Sequence, residues 1–153
     1  IVHAVRGQVF RIDDELVFSV LAPFSLQNGK EAKKINNTSV VARLDYYDTS
    51  ILFTADIERD IEEMLATVFA DKIDADVLKV AHHGSKTSSA ADFLAAVTPE
   101  AAVISVGRSN RYGHPTSEVL SRFEGIQARI FRTDTDGAVV LRADENGYAF
   151  IQQ

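Results

Sequence analysis

The chain has 153 residues, of which 46% are hydrophobic and 25% charged, and it contains no cysteine. This composition is typical of one globular domain and excludes a disordered tail, and the lack of cysteine excludes disulfides, thiolate metal ligands and cysteine nucleophiles. A formal charge of −6 argues against a broadly basic surface that coats nucleic acid, but bound metal ions would still create a local phosphate site. No apolar run approaches the roughly 18 residues of a membrane-spanning helix.

The first third of the chain shows short apolar runs separated by polar turns, which predicts antiparallel hairpins. The predicted strands are residues 9–12, 16–21, 39–46 and 50–54. The stretch 22–38 between the two hairpins contains Pro23, Asn28-Gly29 and several lysines. That composition predicts a long and mobile loop.

The segment 57–69 has the spacing of an amphipathic helix. Five apolar residues recur every three or four positions and would form one face: Ile57, Ile61, Met64, Leu65 and Val68. The charged residues, Glu62 among them, largely fall on the other face, which is predicted to face solvent. Asp56 stands directly before the helix, where an N-cap residue belongs.

Strands and helices alternate in the second half of the chain. The predicted elements are strands at 77–81 and 101–106, helices at 89–97 and 116–123, a hairpin of 127–133 with 138–142, and a last strand at 148–151. Ser88 is a candidate cap for the first of these helices, and Pro115 stands at the start of the second. The predicted fold class is α/β (α+β), a mixed sheet with helices on one face.

The segment Phe53-Thr54-Ala55-Asp56 places a carboxylate at the end of a predicted buried strand. A carboxylate in this position suits a metal ligand. From this segment alone, however, the favoured interpretation is that Asp56 only caps the following helix, because aspartate strongly prefers the N-cap.

Two adjacent histidines, His82 and His83, follow a predicted strand and lead into Gly84. Neutral imidazole is the commonest metal ligand, and the end of a strand gives it a fixed, exposed position. Side chains on adjacent residues of an extended backbone point in different directions, so only one of the two is expected to enter a given site. A solvated turn with incidental histidines is the alternative, but the neighbouring clusters fall at the same sheet edge and favour metal or substrate contact.

The loop 107–115 carries two glycines, two arginines, an asparagine and a histidine between a strand and a helix. Backbone amides at a helix start, together with arginine and histidine side chains, suit an anionic group such as phosphate. A surface loop whose arginines face water is an equally acceptable interpretation of this segment.

Taken together, the three clusters resemble the last motifs of the metallo-β-lactamase domain of ComEC proteins, the bacterial DNA-uptake family. The matching segments are Thr54-Ala55-Asp56, His82-His83-Gly84-Ser85-Lys86-Thr87-Ser88 and Asn110-Arg111-Tyr112-Gly113-His114-Pro115. Asn36-Asn37-Thr38-Ser39 resembles the start of the strand that precedes the aspartate, and Arg132-Thr133-Asp134-Thr135-Asp136-Gly137 resembles the closing hairpin. The resemblance runs from about residue 36 to residue 142.

The resemblance implies half of an αββα sandwich, with residues 1–153 as the C-terminal part of one metallo-β-lactamase-like domain. It also implies two divalent ions, Zn²⁺ or Mn²⁺, with Asp56 bridging them and a histidine of the His82-His83 pair completing one shell. His82 is the preferred ligand and His83 the alternative. The implied substrate-contacting or ligand-supporting residues are Ser85, Lys86, Asn110, Arg111 and His114. The implied reaction is hydrolysis of a phosphodiester, single-stranded DNA above all, by metal-activated water.

One departure from the family pattern is large. The principal metal motif, His-x-His-x-Asp-His, does not occur among the four histidines of this chain, His3, His82, His83 and His114. Two ligand positions are too few to hold a pair of ions, so the chain alone is expected to be inactive. Its first partner is expected to be the missing N-terminal half of the domain. Ala55 also stands where the family is expected to have glycine.

Two other functions remain open at this stage, a non-catalytic binding domain of the same fold and a hydrolase of small phosphoesters or lactones. The uncovered face of the half-sandwich is expected to pair with a second copy of the chain. A bacterial location is implied, either as a domain at the outer face of the cytoplasmic membrane in a membrane-associated parent, or as a stand-alone hydrolase.

Overall fold

A seven-stranded sheet with helices on one face forms the body of the chain in a computed structural model that describes residues 3–24 and 34–151. The strands are β1 (Val9–Arg11), β2 (Leu16–Ala22), β3 (Val41–Tyr46), β4 (Thr49–Phe53), β5 (Val77–Lys79), β6 (Ala101–Ile104), β7 (Arg129–Arg132), β8 (Val140–Asp144) and β9 (Gly147–Ile151). The helices are α1 (Arg59–Val68), α2 (Ala70–Ile73), α3 (Ala91–Val97) and α4 (Ser117–Gly125). The stretch 25–33 of the predicted loop lies outside the described residues.

The strands of the large sheet lie in chain order from β1 to β7, and β8 pairs only with β9. The first four are antiparallel neighbours, whereas β4, β5, β6 and β7 are parallel to one another. Short turns join β1 to β2 and β3 to β4, and helices supply the long crossovers that parallel strands require. The mixed sheet predicted from the sequence is confirmed, and the carboxyl ends of β4, β5 and β6 meet at one edge.

One face of the sheet carries the hydrophobic core. Leu52, Leu78 and Ala102 are register partners on adjacent strands and are fully buried. They belong to the same buried cluster as Leu65 of α1 and Phe93 of α3. Side chains alternate across a strand, so this row faces the helices, and the predicted placement of helices on one face is confirmed.

The small sheet β8–β9 packs against the opposite face. Phe150 of β9 stacks on Phe131 of β7 with ring centroids 3.9 Å apart, and the Tyr148 hydroxyl donates to Glu100 at 2.9 Å. Farther along this face Phe18 and Phe53 lie 6.3 Å apart, and Phe53 is 37% exposed. The second face is therefore covered in part, and its pairing with a second copy stays a prediction.

The predicted hairpin of residues 127–133 with 138–142 is wrong. β7 pairs in parallel with β6, and β8 pairs with β9 instead. The backbone N–H of Arg132, which faces away from β6, donates to the Asp136 carboxylate at 2.7 Å. The turn after β7 thus pairs with a backbone N–H that a neighbouring hairpin strand would otherwise bind. The chain then continues into β8 of the second sheet.

The predicted helix starts also require correction. Helix α1 begins at Arg59 with Glu58 at its N-cap, so Asp56 does not cap it. Helix α3 begins at Ala91 with Ala90 at its N-cap, so Ser88 is not its cap either. The Ser88 hydroxyl instead donates to the carbonyls of Ala81 and Ser85, both at 3.0 Å.

Helix α1 buries a different arc from the predicted one. Ile61, Glu62 and Leu65 are buried, whereas Met64 and Val68 are 42% and 54% exposed. The arc is centred on Leu65 and includes a carboxylate, because the Glu62 side chain accepts two backbone hydrogen bonds from the residues that precede α3. A buried acceptor that is satisfied in this way is tolerated in a core.

Candidate functional site

Asp56 lies just beyond the end of β4, in a turn that is tied to the end of β5. The buried Thr54 hydroxyl donates to the Lys79 carbonyl at 2.6 Å, and the Ala55 carbonyl accepts the His82 N–H at 3.0 Å. Ala55 has φ 46°, a left-handed conformation that costs an L-residue with a side chain about 1–2 kcal/mol. This conformation explains why glycine is expected there. Because Asp56 does not cap helix α1, its carboxylate is available to bind a ligand at this site.

The His83 imidazole faces Asp56. Its Nε2 lies 3.5 Å from Asp56 Oδ1, and its Nδ1 lies 2.6 Å from the Ser105 carbonyl oxygen. Because a carbonyl oxygen only accepts, Nδ1 carries a proton, and Nε2 is the ring atom that faces the carboxylate. A hydrogen bond from the distal ring nitrogen to a carbonyl is the usual support of a metal-binding histidine.

The spacing of these two groups fits a shared cation. Two ligands at bond lengths of about 2.0–2.1 Å in tetrahedral geometry lie roughly 3.3 Å apart, close to the 3.5 Å between Asp56 Oδ1 and His83 Nε2. Within residues 3–24 and 34–151, however, no group of three or more histidine, aspartate or glutamate side chains is gathered for a metal ion. The described residues thus gather no complete shell for an ion, and the metal role of Asp56 and His83 stays a prediction.

His82 points to a different set of neighbours. Its Nε2 lies 3.5 Å from the Asn36 amide nitrogen, and its Nδ1 lies 3.4 Å from the Thr87 hydroxyl and 3.9 Å from the Glu58 carboxylate. His82 and His83 have φ of 47° and 57°, so the strand has already ended and the alternation of an extended chain does not apply. The geometry places His83 rather than the preferred His82 beside Asp56. Asn36 lies in a short 3-10 helix, Ile35–Thr38.

A steric contact joins the histidine turn to the loop 107–115. Gly84 has φ +82°, and a Cβ at this position would lie 2.6 Å from Cβ and 3.0 Å from Cα of Pro115. The Gly84 carbonyl also accepts the Thr116 N–H at 3.0 Å. Only glycine permits this approach, so the residue type at 84 sets the distance between the two clusters.

Within the loop, the Asn110 side chain holds the backbone of His114. Asn110 Oδ1 accepts the His114 N–H at 2.9 Å, and its Nδ2 donates to the carbonyls of His114 at 2.8 Å and Gly107 at 3.2 Å. The His114 ring lies between the rings of His82 and Tyr112, each at a centroid distance of 5.9 Å. Burial, and then the nearby imidazoles of His82 and His83, lower the pKa of His114. Both effects disfavour the protonated form of the His114 ring.

The remaining predicted contact residues differ in exposure. Ser85 is buried, and its hydroxyl lies 3.1 Å from the Thr87 hydroxyl, so it is oriented within its own turn. Lys86 and Arg111 are exposed. Their contact with a substrate stays a prediction, as does that of Asn110 and His114.

A cleft of about 460 Å³ opens beside His83. Its walls come from the ends of β6 and β7 and from the loop 107–115: His83, Ser105, Val106, Gly107, Asn110, Tyr112, His114 and Thr133. The cleft lies at the carboxyl ends of parallel strands, the usual place for a ligand in such sheets. The three clusters that the sequence singled out thus meet at one sheet edge, with a cavity large enough for a small ligand.

Comparison with known proteins identifies the family. The model of the "Metallo-beta-lactamase superfamily" matches residues 12–108. This chain belongs to the metallo-β-lactamase superfamily. The match includes the strands from β2 to β6, Asp56 and the two histidines, and it ends at the start of the loop 107–115.

The relatives confirm the resemblance to the ComEC type. The chain is 39% identical to "ComE operon protein 3" of Bacillus subtilis over 90% of this chain and 17% of that protein. It is 36% identical to "Competence protein ComA" of Neisseria gonorrhoeae over 88% of this chain and 19% of that protein, and 35% identical to "Recombination protein 2" of Haemophilus influenzae over 81% and 15%. These relatives are bacterial, and the chain spans less than a fifth of their length. No helix in the described part of the chain is long and apolar enough to cross a membrane.

One feature of this metallo-β-lactamase domain that sequence reasoning missed is a pair of charged side chains that bind the backbone just after the histidine turn. The buried Glu62 carboxylate accepts the backbone N–H groups of Ser89 at 2.6 Å and Ala90 at 2.9 Å. From the other side, the Arg122 guanidinium donates to the carbonyls of Ser88 and Ser89, both at 3.0 Å. Burial raises the pKa of Glu62 to about 6, and its hydrogen bonds and the arginines oppose the rise. No sequence signal marks Glu62, since it lies among other charged residues of α1.

Lys79 is a second residue that sequence reasoning passed over. It lies at the end of β5, and its ammonium donates to the Val80 carbonyl at 2.9 Å. Burial lowers the pKa of Lys79, and the negative charge of Asp56 opposes that shift. Lys79 therefore adds positive potential next to the carboxylate of the candidate centre.

Proposed function

We propose that this chain is the C-terminal part of a metal-dependent phosphodiesterase domain that hydrolyses single-stranded DNA during competence-related DNA uptake. The observation that carries the proposal is the placement of Asp56 Oδ1 3.5 Å from His83 Nε2, with His83 Nδ1 donating to the Ser105 carbonyl. The names of the relatives support the competence role.

Each residue has a definite task in this proposal. Asp56 and His83 hold the ions, and Ser105 orients the imidazole. Divalent ions, when bound, lower the pKa of water and stabilise the negative charge that develops on a phosphate. Arg108 and Arg111 are exposed in the loop that lines the cleft, and in this proposal they bind the phosphodiester backbone.

The further metal ligands come, in this proposal, from the rest of a longer protein, because the described residues gather only part of a shell. The chain by itself is then inactive, and the other half of the domain is its partner. The apolar face around Phe18 and Phe53 suits this contact or a second copy of the chain. We place the longer protein at the bacterial membrane with this domain at its outer face, a placement that fractionation tests.

The test uses the longer protein that contains this chain. Metal content measured by mass spectrometry is expected to be about two ions per molecule, as in two-metal hydrolases, with cleavage of single-stranded DNA. Asp56→Ala and His83→Gln are expected to lose metal and activity together. His82→Gln is the matched control, since the His82 ring faces Asn36 and Thr87 instead of Asp56.

The outcomes separate the alternatives. A longer protein that binds no divalent metal would favour a non-catalytic binding domain. Metal binding with preferential hydrolysis of lactones or small phosphoesters over DNA would favour a small-molecule hydrolase. Greater metal loss in His82→Gln than in His83→Gln would contradict the assignment of His83.

A further inference from the structure

Tyr112 stands out among the large side chains of the described residues. It is 82% exposed, more than any other large hydrophobic residue among them. Its ring lies at the lip of the same cleft that His83 lines. The ring therefore offers an open aromatic face beside the cleft, where a ligand bound in the cleft would cover it.

The ring is held in place rather than loosely attached. It stacks on the His114 ring with an interplanar angle of 19° and a centroid distance of 5.9 Å. The Asn110 amide, through its three hydrogen bonds to Gly107 and His114, fixes the loop on both sides of Tyr112. A flat, pre-positioned aromatic face loses little conformational entropy when a second flat ring stacks on it.

The charge around the ring points to the same class of ligand. Arg108 and Arg111 are exposed in the same loop, on a chain whose formal charge is −6. A positive loop with an aromatic platform is how proteins bind single-stranded nucleic acid: the cations contact the backbone, and the ring stacks on a base.

We infer that Tyr112 is the stacking platform of a nucleobase subsite, which receives the base next to a phosphodiester bound in the cleft that His83 and the loop 107–115 line. This inference rests on the proposed function and adds to it the contact that distinguishes a nucleic acid from other phosphodiesters. Arg111 contacts the backbone, and Tyr112 contacts the base.

The test measures binding by the longer protein that contains this chain, with a chelator present so that metal-dependent hydrolysis does not enter. A labelled short oligothymidylate and an abasic oligonucleotide of the same length and charge are titrated at low ionic strength and followed by fluorescence anisotropy. Tyr112→Ala is expected to bind the oligothymidylate about 5- to 150-fold more weakly, the range of one base–aromatic stack, and Tyr112→Phe to bind it nearly as well as the parent. The abasic strand is expected to bind the parent chain and Tyr112→Ala equally.

Arg111→Ala is the matched control, since the loss of a phosphate contact is expected to weaken binding of both oligonucleotides by the same factor. Unchanged thermal midpoints verify that the exposed substitutions leave the fold intact. The inference is overturned if Tyr112→Ala binds the oligothymidylate as tightly as the parent, if it loses the same factor on the abasic strand, or if neither strand binds. The proposed function fails separately, when the longer protein shows no metal-dependent hydrolysis.

Discussion

Replacing Gly84 by alanine tests whether the contact between the histidine turn and Pro115 is as tight as the geometry shows. The new Cβ would lie 2.6 Å from Pro115 Cβ, whereas carbon atoms in contact are about 3.5–4.0 Å apart. The turn and the proline must therefore separate by about 1 Å. Overpacking of this kind costs about 1–3 kcal/mol. The left-handed φ of +82° adds about 1–2 kcal/mol for any residue with a Cβ.

Two other glycines separate these contributions. Gly113 has φ +71° but open space around it, so Gly113→Ala is expected to cost only the conformational part, about 1–2 kcal/mol. Gly107 has neither a positive φ nor a neighbour within 4 Å, and Gly107→Ala is expected to change the free energy of unfolding by less than about 0.5 kcal/mol. Gly84→Ala is expected to lower it by about 2–5 kcal/mol.

Urea unfolding followed by circular dichroism measures all three variants. With an m-value of about 1–3 kcal/mol/M, the midpoint for Gly84→Ala is expected to fall by on the order of 1–2 M. In the longer protein, the same substitution is expected to reduce metal binding, because it displaces the turn that carries His83. If Gly84→Ala costs no more than Gly113→Ala, the close approach of Pro115 is refuted, and with it the coupling of the two clusters.

Two further substitutions test the buried polar groups. Burial raises the pKa of Glu62 from 4.5 to about 6, so the folded state holds this proton more tightly than the unfolded chain. As the pH rises from 4.5 to above 6, the free energy of unfolding is therefore expected to fall by about 2 kcal/mol relative to that of Glu62→Gln. Urea unfolding across pH measures this, with the exposed Glu63→Gln as control; an opposite slope would contradict the assignment. Thr54→Val removes the buried donor to the Lys79 carbonyl and should lower the unfolding free energy by about 1–3 kcal/mol. The exposed Thr67→Val should change it far less, and equal losses would show that the buried hydroxyl contributes nothing special.

The sequence by itself determined the order of strands and helices, the mixed α and β class and the three clusters at strand ends. These features follow from local physics, since apolar periodicity marks the faces of elements and polar residues mark turns. Because parallel strands share the edge at which they end, the placement of Asp56, His83 and the loop 107–115 at one edge also followed from the pattern.

Only the tertiary structure decided how side chains are directed at that edge. The left-handed φ values of His82 and His83 reverse the alternation that an extended strand would give, and hydrogen bonds to Ser105 and Asn36 then assign each ring its direction. The Glu62 carboxylate is tolerated in the core because it accepts hydrogen bonds from two backbone amides that lie 27 and 28 positions later in the chain. Contacts between residues that are distant in the sequence set these outcomes, and the local periodicity of the sequence does not predict them.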